Sequence, residues 1–392
     1  MSGVRFAVLA PLAVAFFALV GHPRAMEGQS LLAGAGLGVP AEPLEARSRA
    51  MGGAGIGLSG WHLLAADPAA AAGLALPSVT ATYQPARVTL SDGRSAGYAR
   101  FPVLAALHPY GGNAFWVQFS SFLDQEWEVR SSRILIVSGV GVRANDLYRS
   151  IGGIGQVRLG WARQLSESLA VGLSVGSYVG TMERSFIRVV EPADLGSDVE
   201  PFVITGRWRA SGKTAGLGIA WDPNPLVRIA GAASWSGDLV LTPFAGTIQE
   251  KGTYAIPIDL RAGGTVTLAE GLGLAVGVSY ADWSETGRDL LDESTRGAAW
   301  SYGAGLEWSR VTIRGRAVPV RVGARRVDLP FLFAGEPVSE QIVSGGIGIH
   351  FLEREGVPLA RLEIGIENGS RKGGAIAEDF LRTTISIRVS GN

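Results

Sequence analysis

The sequence contains no cysteine among its 392 residues. This absence excludes a disulfide framework, a thiol nucleophile and a cysteine-based zinc site. The chain also lacks net charge, because 35 basic side chains, with very few lysines among them, balance 35 acidic ones. That balance argues against a nucleic-acid partner recognised through net positive charge.

Histidine is scarce as well, and after residue 25 only His62, His108 and His350 occur. A lipase or protease with a serine nucleophile needs a histidine clustered with Ser or Asp, and no local signature assembles such a cluster here. The spacing of histidines and carboxylates does not indicate a zinc site either. We therefore expect no enzyme activity, no catalytic residue, no metal site and no cofactor.

Long apolar runs are confined to the start of the chain. A basic residue at Arg5, an apolar run over residues 6–20 and a small residue at Ala25 form the layout of a secretory signal peptide. We predict a signal peptide at residues 1–25, cleaved after Ala25. Beyond it no stretch of 18 uncharged apolar residues occurs, so the sequence predicts no transmembrane helix there.

Glycine, by contrast, is abundant, with 55 residues in the chain. The richest stretch, SRAMGGAGIGLSG at residues 48–60, first suggests a phosphate-binding loop. Its spacing is G-x-G-x-G, which lacks the third glycine position of the dinucleotide fingerprint and the Lys-Ser/Thr pair of a P-loop. A tight backbone that needs positive φ is the favoured interpretation.

Apolar residues alternate with small or polar ones through much of the chain. In residues 272–281, LGLAVGVSYA, the even positions are large and apolar and the odd positions are Gly, Ala or Ser. The same period of two runs through residues 169–175, 362–367 and 381–389. A period of two is the signature of β-strands.

The second face of these strands indicates the class of β-protein. A soluble sandwich would line that face with Lys, Thr and Glu, whereas here it carries Gly, Ala and Ser interrupted by charges. A transmembrane barrel places its aliphatic band toward lipid and its small or polar residues inward. We therefore predict an all-β fold, a transmembrane antiparallel β-barrel.

Short and long connections alternate along the chain, as outer-membrane barrels require. The predicted short turns are Arg163–Ser168, Asp222–Pro225, Ala269–Gly271 and Ser309–Arg316. The predicted long links are Glu183–Pro201, Thr242–Thr253, Ser284–Gly297, Asp328–Glu340 and Asn368–Glu378. About fourteen strands fit residues 78–392, and Arg130–Val142 is left open as a loop, part of a kinked third strand, or a further strand.

Tryptophans lie near both ends of the predicted strands, which favours two interfacial girdles. Trp161, Trp221 and Trp308 precede short turns. Toward the long-link ends we place Trp116, Trp127, Trp208, Trp235, Trp283 and Trp300.

Alternation also places a set of charged side chains inside the predicted barrel. We favour a salt-bridged network that lines the lumen; the alternative is that arginines such as Arg158, Arg321 and Arg382 bind the carboxylate head group of a substrate. The predicted inward residues are Arg158, Arg228, Asp259, Arg261, Glu307, Arg321, Arg325, Glu363, Glu367, Arg382 and Arg388.

A further candidate site is the apolar run Phe331, Leu332 and Phe333, within a predicted long loop. Exposed apolar patches often mark ligand surfaces, so we hypothesise that these residues capture a hydrophobic molecule. The alternative is that they pack over the barrel mouth as a lid.

The segment RAMGGAGIGLSGWHLLAADPAAAAGL resembles the N-terminal segment of FadL-type outer-membrane transporters of long-chain fatty acids and hydrocarbons. In that family a glycine stretch and a spacer precede an Asn-Pro-Ala motif before the first strand. The glycine stretch is matched by Arg49, Gly52, Gly53, Gly55 and Gly57, and the motif by Asp67, Pro68 and Ala69. The C-terminal segments from VPVRVGARRVDLPF to EDFLRTTISIRV also look like the family's last strands. Aspartate in place of the motif's asparagine is a departure, as is the absence of a terminal aromatic residue.

The resemblance implies that residues 26–77 fold into the barrel as a plug and that hydrophobic substrate moves through the interior toward a gap in the wall. It implies passive uptake of long-chain fatty acids or hydrocarbons through the outer membrane of a Gram-negative-type bacterium. The implied partners are a hydrophobic small-molecule ligand, outer-membrane lipid and lipopolysaccharide, and the outer-membrane assembly machinery. The alternatives are a protein-binding barrel of a secretion system and a general diffusion porin.

Overall fold

The structure is a computed structural model that describes residues 31–391 except 35, 59–63, 65, 92, 138, 192–199, 249, 291–294 and 355–356. The predicted signal peptide and His62 lie outside the described residues. In the part of the chain that is described, no helix is long and apolar enough to cross a membrane.

Fourteen antiparallel strands, which we number β1–β14, form a closed ring, as the alternating pattern predicts. Each strand pairs with its neighbour in this numbering, and β14 pairs with β1 from Ser78↔Ser390 to Leu90↔Glu378. Closure removes the free sheet edges that an open sheet would present. The strands are Ser78–Leu90, Ser95–Tyr110, Asn113–Asp124, Val140–Ser166, Leu169–Val190, Lys213–Asn224, Val227–Ser236, Asp259–Ala269, Leu272–Asp282, Ala298–Trp308, Val320–Phe333, Glu336–Arg354, Val357–Gly373 and Ile376–Ser390.

The two faces of each strand differ as the alternation predicts. On β9, Val276 is 49% exposed on the outer face, while its neighbour Ala275 is fully buried on the inner face. Leu173, Leu217 and Val322 are likewise more than half exposed. Such a band of outward aliphatic side chains is the surface that a bilayer covers.

Several strands continue above the ring at the end that carries the long connections. There the first half of β4 pairs with the strand Trp127–Val137, from Trp127↔Ser150 to Val137↔Val140. The segment Arg130–Val142, whose structure the sequence left open, therefore comprises most of a further strand that ends at Val137 and the start of β4 at Val140. The remaining rim strands are Phe202–Ser211, Leu239–Pro243 and Gly252–Tyr254, and a small hairpin at the opposite end comprises Thr312–Ile313 and Arg316–Ala317.

Two of the predicted long links are wrong. Residues 328–340 and 368–378 are mostly strand, because β11 runs to Phe333, β12 begins at Glu336, β13 runs to Gly373 and β14 begins at Ile376. Part of a third, residues 183–190, belongs to β5. Their polar residues suggested loops, but in each case the backbone continues the ladder of the neighbouring strand, which satisfies its hydrogen bonds.

The tryptophan girdles are correct only in part. Trp221 and Trp308 at the short-turn end and Trp235 at the other are about half exposed on the outer face. Trp116, Trp208 and Trp283 are instead buried, at 3%, 8% and 8% exposure, in apolar clusters within the molecule. Their position near strand ends could not distinguish an outward from an inward side chain.

The helices are short and are not part of the strands that form the ring. Helix α1 comprises Ala46–Ala50 and helix α2 comprises Ser284–Leu290. Two 3₁₀ turns comprise Leu31–Gly34 and Pro68–Gly73. Together with the strand Val39–Pro40, α1 and both turns belong to residues 31–77, and we call the described part of this range the inner segment.

Candidate functional site

The inner segment lies inside the ring and contacts its wall on several sides. The Ala46 N–H donates to Ser386 Oγ on β14 at 2.8 Å, and Ser344 Oγ on β12 donates to the Ala50 carbonyl at 3.1 Å. On the other side, Thr265 Oγ1 on β8 donates to the Gly57 carbonyl at 2.9 Å. Hydrogen bonds to three separated strands place the segment across the lumen.

Glycine meets glycine where the inner segment touches the wall. Gly52 has a φ of +66°, and a Cβ at this position would overlap the backbone of Ala304 and Ala324. Conversely, a Cβ on Gly303 or Gly323 of the wall would overlap the backbone of Gly52. The two backbones therefore approach more closely than any residue with a side chain allows.

The same close approach recurs at two further positions. Gly57, with a φ of +71°, lies against the backbone of Gly263 and Gly264 on β8. A Cβ on Gly218 would lie 2.9 Å from the Ala69 nitrogen and 3.0 Å from Pro68 Cδ. The small residues of the inner wall therefore form the surface against which the inner segment packs.

The other two glycines of the motif contact side chains rather than wall backbone. Gly53, at a φ of +73°, lies beside the Arg325 guanidinium stem, and Gly55 packs between Leu44 and Leu64. The glycine stretch is thus a packed backbone throughout its described length.

Asp67 caps the 3₁₀ turn that follows it. Its side chain, 1% exposed, accepts a hydrogen bond from the Ala69 N–H at 3.1 Å. Burial raises the pKa of the Asp67 carboxyl to about 6, against the opposing effects of Arg228 and the backbone N–H groups. Asp67, Pro68 and Ala69 are therefore a buried part of the inner segment, near its C-terminal end.

Ion pairs anchor the other end of the inner segment to the wall. Arg47 bonds Glu307 at 2.7 Å, and Arg321 bonds the same Glu307 at 2.5 Å and also Glu363. A second cluster joins Arg49 to Glu367 at 2.9 Å, with Arg325 bonding both Glu367, at 3.0 Å, and Glu42. A third bond joins Arg388 to Glu45 at 2.9 Å. Because these charges are buried, their partners are required for the folded state.

The three arginines predicted as head-group ligands are inward but are not brought together. Arg321 belongs to the Glu307 cluster, whereas Arg382 bonds Glu340 at 2.9 Å and lies over the Phe380 ring. Arg158 faces Ser234 at 3.4 Å in a separate part of the lumen. The ion-pair network therefore accounts for Arg321 and Arg382 in the structure, and no three-arginine site is formed.

Phe331 is not on an exposed loop. It is 1% exposed on β11 and packs in a cluster with Leu32 and Val39 of the inner segment and with Val338. Leu332 and Phe333 complete the same strand end, where Leu332 pairs with Pro337 and Phe333 with Glu336. The loop prediction was wrong because the apolar run continues β11 and covers the inner segment.

A cavity of about 120 Å³ remains between the inner segment and the wall. Ion-paired side chains, among them Glu42, Arg49 and Arg325, line one part of it, and Tyr98, Trp283 and Trp300 line another. A second cavity of about 110 Å³ includes Arg158 and Phe122 in its lining. Among the described residues, no group of three His, Asp or Glu side chains is placed to hold a metal ion.

The wall of the ring is interrupted next to the first cavity. Strands β2 and β3 pair only from Tyr110↔Asn113 to Val103↔Ser120. Above that point β3 changes partner: Leu123 and Asp124 pair with Pro40 and Val39 of the inner segment. Within the described chain, residues 95–100 of β2 pair only with β1. We call the space between residues 95–101 and 121–124 the wall gap.

Two side-chain contacts cross the wall gap. Ser121 Oγ donates to the Phe101 carbonyl at 3.3 Å, and Arg100 Nη1 lies 3.6 Å from Asp124 Oδ2. Tyr98, Arg100 and Asp124 also line the 120 Å³ cavity, so the cavity adjoins the gap. None of these residues was singled out from the sequence, where the alternation gives no sign of a change of strand partner.

The described chain forms a closed fourteen-strand barrel, and solved structures of low sequence identity have the same overall fold. The chain shares it with the Pseudomonas putida toluene transporter TodX, at a TM-score of 0.57 and 13% identity over 90% of this chain and 99% of TodX. The chain also shares this fold with the CymD monoaromatic hydrocarbon channel. The TM-score is 0.53 and the sequence identity 14%, over 93% of this chain and 99% of CymD. A Pseudomonas aeruginosa FadL homologue has the same fold, with a TM-score of 0.53 and 11% sequence identity over 83% of this chain and 92% of the homologue.

No protein-family model and no curated protein sequence matches this chain. The structural similarities confirm the predicted fold: the chain has the fold of FadL-type channels. At identities of 11–14% they are evidence for the fold alone.

The glycine contacts predict that Gly303→Ala weakens the packing of the inner segment against the wall. The added Cβ overlaps the Gly52 carbonyl, and overpacking of this kind costs about 1–3 kcal/mol. Trypsin cleavage after Arg47 and Arg49, which are 9% and 1% exposed, reports release of the segment. We expect faster cleavage than in the parent protein.

Gly231→Ala is the matched control, since a Cβ there meets its nearest atom at an ordinary 3.8 Å. It should leave the cleavage rate unchanged. Equal protection of Arg47 and Arg49 in the Gly303→Ala variant would show that close backbone contact does not hold the segment.

The buried carboxyl of Asp67 predicts a pH dependence. Because the folded pKa of about 6 lies above the ordinary value of 3.8, the seated segment binds the proton more tightly than the released one. The binding of the inner segment to the wall should therefore strengthen as the pH falls from about 8 toward 5, by about 1 kcal/mol. Asp67→Asn keeps an acceptor for the Ala69 N–H and should remove this change. Trypsin protection at both pH values tests it, and an equal pH response in the variant would contradict it.

Proposed function

We propose that this protein is an outer-membrane channel for the passive uptake of hydrophobic small molecules. The observation that carries the proposal is the combination of a filled lumen with an interrupted wall. The inner segment occupies the axis of the barrel, while the cavity beside it adjoins the wall gap between β2 and β3. A molecule that leaves through the gap enters the apolar layer of the membrane rather than water, which favours hydrophobic substrates.

The solved structures that share the fold support this substrate class. TodX is described as a toluene transporter and CymD as a monoaromatic hydrocarbon channel. For this chain we propose long-chain fatty acids or hydrocarbons as cargo. Outward aliphatic side chains around the ring support a location in the outer membrane of a Gram-negative-type bacterium, where lipid, lipopolysaccharide and the barrel assembly machinery are its partners.

The division of the chain follows from the same proposal. Residues 1–25 are a signal peptide that directs export, residues 26–77 are a plug, and residues 78–392 are the barrel. The first strand of the ring begins at Ser78, and the described part of residues 31–77 contacts the inner wall, which supports these bounds. No step of the proposed transport requires catalysis, so we propose that the protein is not an enzyme.

The two alternative functions make different demands on the barrel. A general porin needs an open polar channel along the axis, whereas the described part of the inner segment crosses the lumen and is hydrogen-bonded to β8, β12 and β14. A protein-binding barrel of a secretion system needs a macromolecular partner, which affinity purification from the native host would recover. Uptake of a small hydrophobic probe separates our proposal from both.

Closing the wall gap covalently should stop uptake. The chain has no cysteine, so the pair Phe101→Cys and Ser121→Cys can be joined by a reducible bis-methanethiosulfonate without side reactions. The Ser121 side chain donates a hydrogen bond to the Phe101 carbonyl, so the two residues are neighbours across the gap. We expect uptake of a fluorescent long-chain fatty acid to fall about tenfold or more and to return on reduction.

The matched control is Leu104→Cys with Phe119→Cys, which are paired neighbours in the intact ladder below the gap and are half-buried, as Phe101 and Ser121 are. Joining strands that are already paired should leave uptake unchanged. Continued uptake with the 101–121 pair cross-linked would show that cargo does not leave through the wall gap and would overturn the proposal.

A further inference from the structure

The Arg100–Asp124 ion pair is the charged link across the wall gap. Arg100 belongs to β2 and Asp124 to β3, at a level where no backbone ladder joins these strands in the described chain. The side chains are 14% and 20% exposed, so the pair is largely removed from water. In such surroundings breaking an ion pair is costly, because either charge left alone loses its partner without gaining full hydration.

Both partners are held in place by further bonds. Arg100 Nε donates to Gln84 Oε1 at 2.8 Å, and Gln84 Nε2 donates to Thr384 Oγ1 at 2.8 Å. Gln84 is fully buried, so this chain of bonds ties Arg100 to β1 and β14. The arginine is thus presented to the gap from a rigid part of the wall.

Asp124 is held from the opposite side by the inner segment. Its backbone pairs with Val39, and Ala41 N–H donates to the Phe122 carbonyl at 2.8 Å. Its Oδ1 accepts from the Glu126 N–H at 3.2 Å, which leaves Oδ2 directed to Arg100. The position of the carboxylate therefore depends on where the inner segment lies.

We propose that Arg100 and Asp124 form the gate of the wall gap: while they are paired the gap is closed, and cargo passes when they separate. The inference rests on the proposed function, because it concerns the exit that the function requires. It assigns the opening step to two named side chains that also line the cavity. A displacement of Val39 moves Asp124 and thereby couples the inner segment to the gate.

Removal of either charge should speed uptake of the fluorescent fatty acid. We expect Arg100→Ala and Asp124→Asn each to raise the initial rate about tenfold, the change that a coupling of about 1.4 kcal/mol produces. The exchanged pair Arg100→Asp with Asp124→Arg restores an attraction across the gap and should return the rate toward that of the parent. An ion pair that only stabilises the barrel would leave the uptake rate of the folded single variants unchanged.

Arg207→Ala is the matched control. Arg207 pairs with Glu183 at 3.3 Å, but between strands that a backbone ladder already joins, so the uptake rate should not change. Heat-dependent migration in gels verifies that each variant has a folded barrel, and a variant that fails this check is replaced by Arg100→Gln or Asp124→Ala.

Two results would overturn the gate: unchanged or slower uptake in both single variants with folded barrels, or no recovery in the exchanged pair. Neither result would refute the channel, which is tested by the cross-link between residues 101 and 121. Conversely, uptake that persists with this cross-link in place would refute the exit path as well as its gate.

Discussion

The arrangement of this protein depends on close backbone contact between one glycine of the inner segment and two glycines of the wall. The inner segment can lie in a ring of only fourteen strands because Gly52 meets Gly303 and Gly323 with no side chain between them. A barrel of fourteen strands is wider than its own wall side chains can fill, so its lumen can hold a polypeptide that packs closely against the wall. Glycine on both partners therefore determines that the lumen holds a polypeptide rather than a water-filled channel.

The buried charges follow from this arrangement. Backbone contact alone would not fix the position of the inner segment along the wall. The ion pairs from Arg47 to Glu307 and from Arg49 to Glu367 fix that position. Removing such a pair is expensive because the remaining charge stays buried. The same segment supplies Val39 and Pro40 to the edge of β3, so its position also shapes the gap in the wall.

The sequence predicts the barrel well because each strand carries its own evidence. The alternation in residues 272–281 gives the faces of β9 correctly, and the inward positions of Arg321, Arg325 and Glu367 follow from the same period. Leu329–Phe333 was mistaken for a loop because Pro330 and nearby polar residues resemble turn signals, although its strand partner continues beside it. The family resemblance implied a gap in the wall but not its position, because the position depends on β3 exchanging β2 for residues 39–40, a contact that no local pattern records.

The central claim, that the inner segment closes the barrel axis, is tested most directly by ion conductance in a planar bilayer. The intact protein and a variant without residues 26–77 are compared at the same voltage and salt concentration. We predict that the intact protein shows no steady large conductance and that the shortened protein conducts. A steady large conductance of the intact protein would contradict the account and identify the chain as a porin.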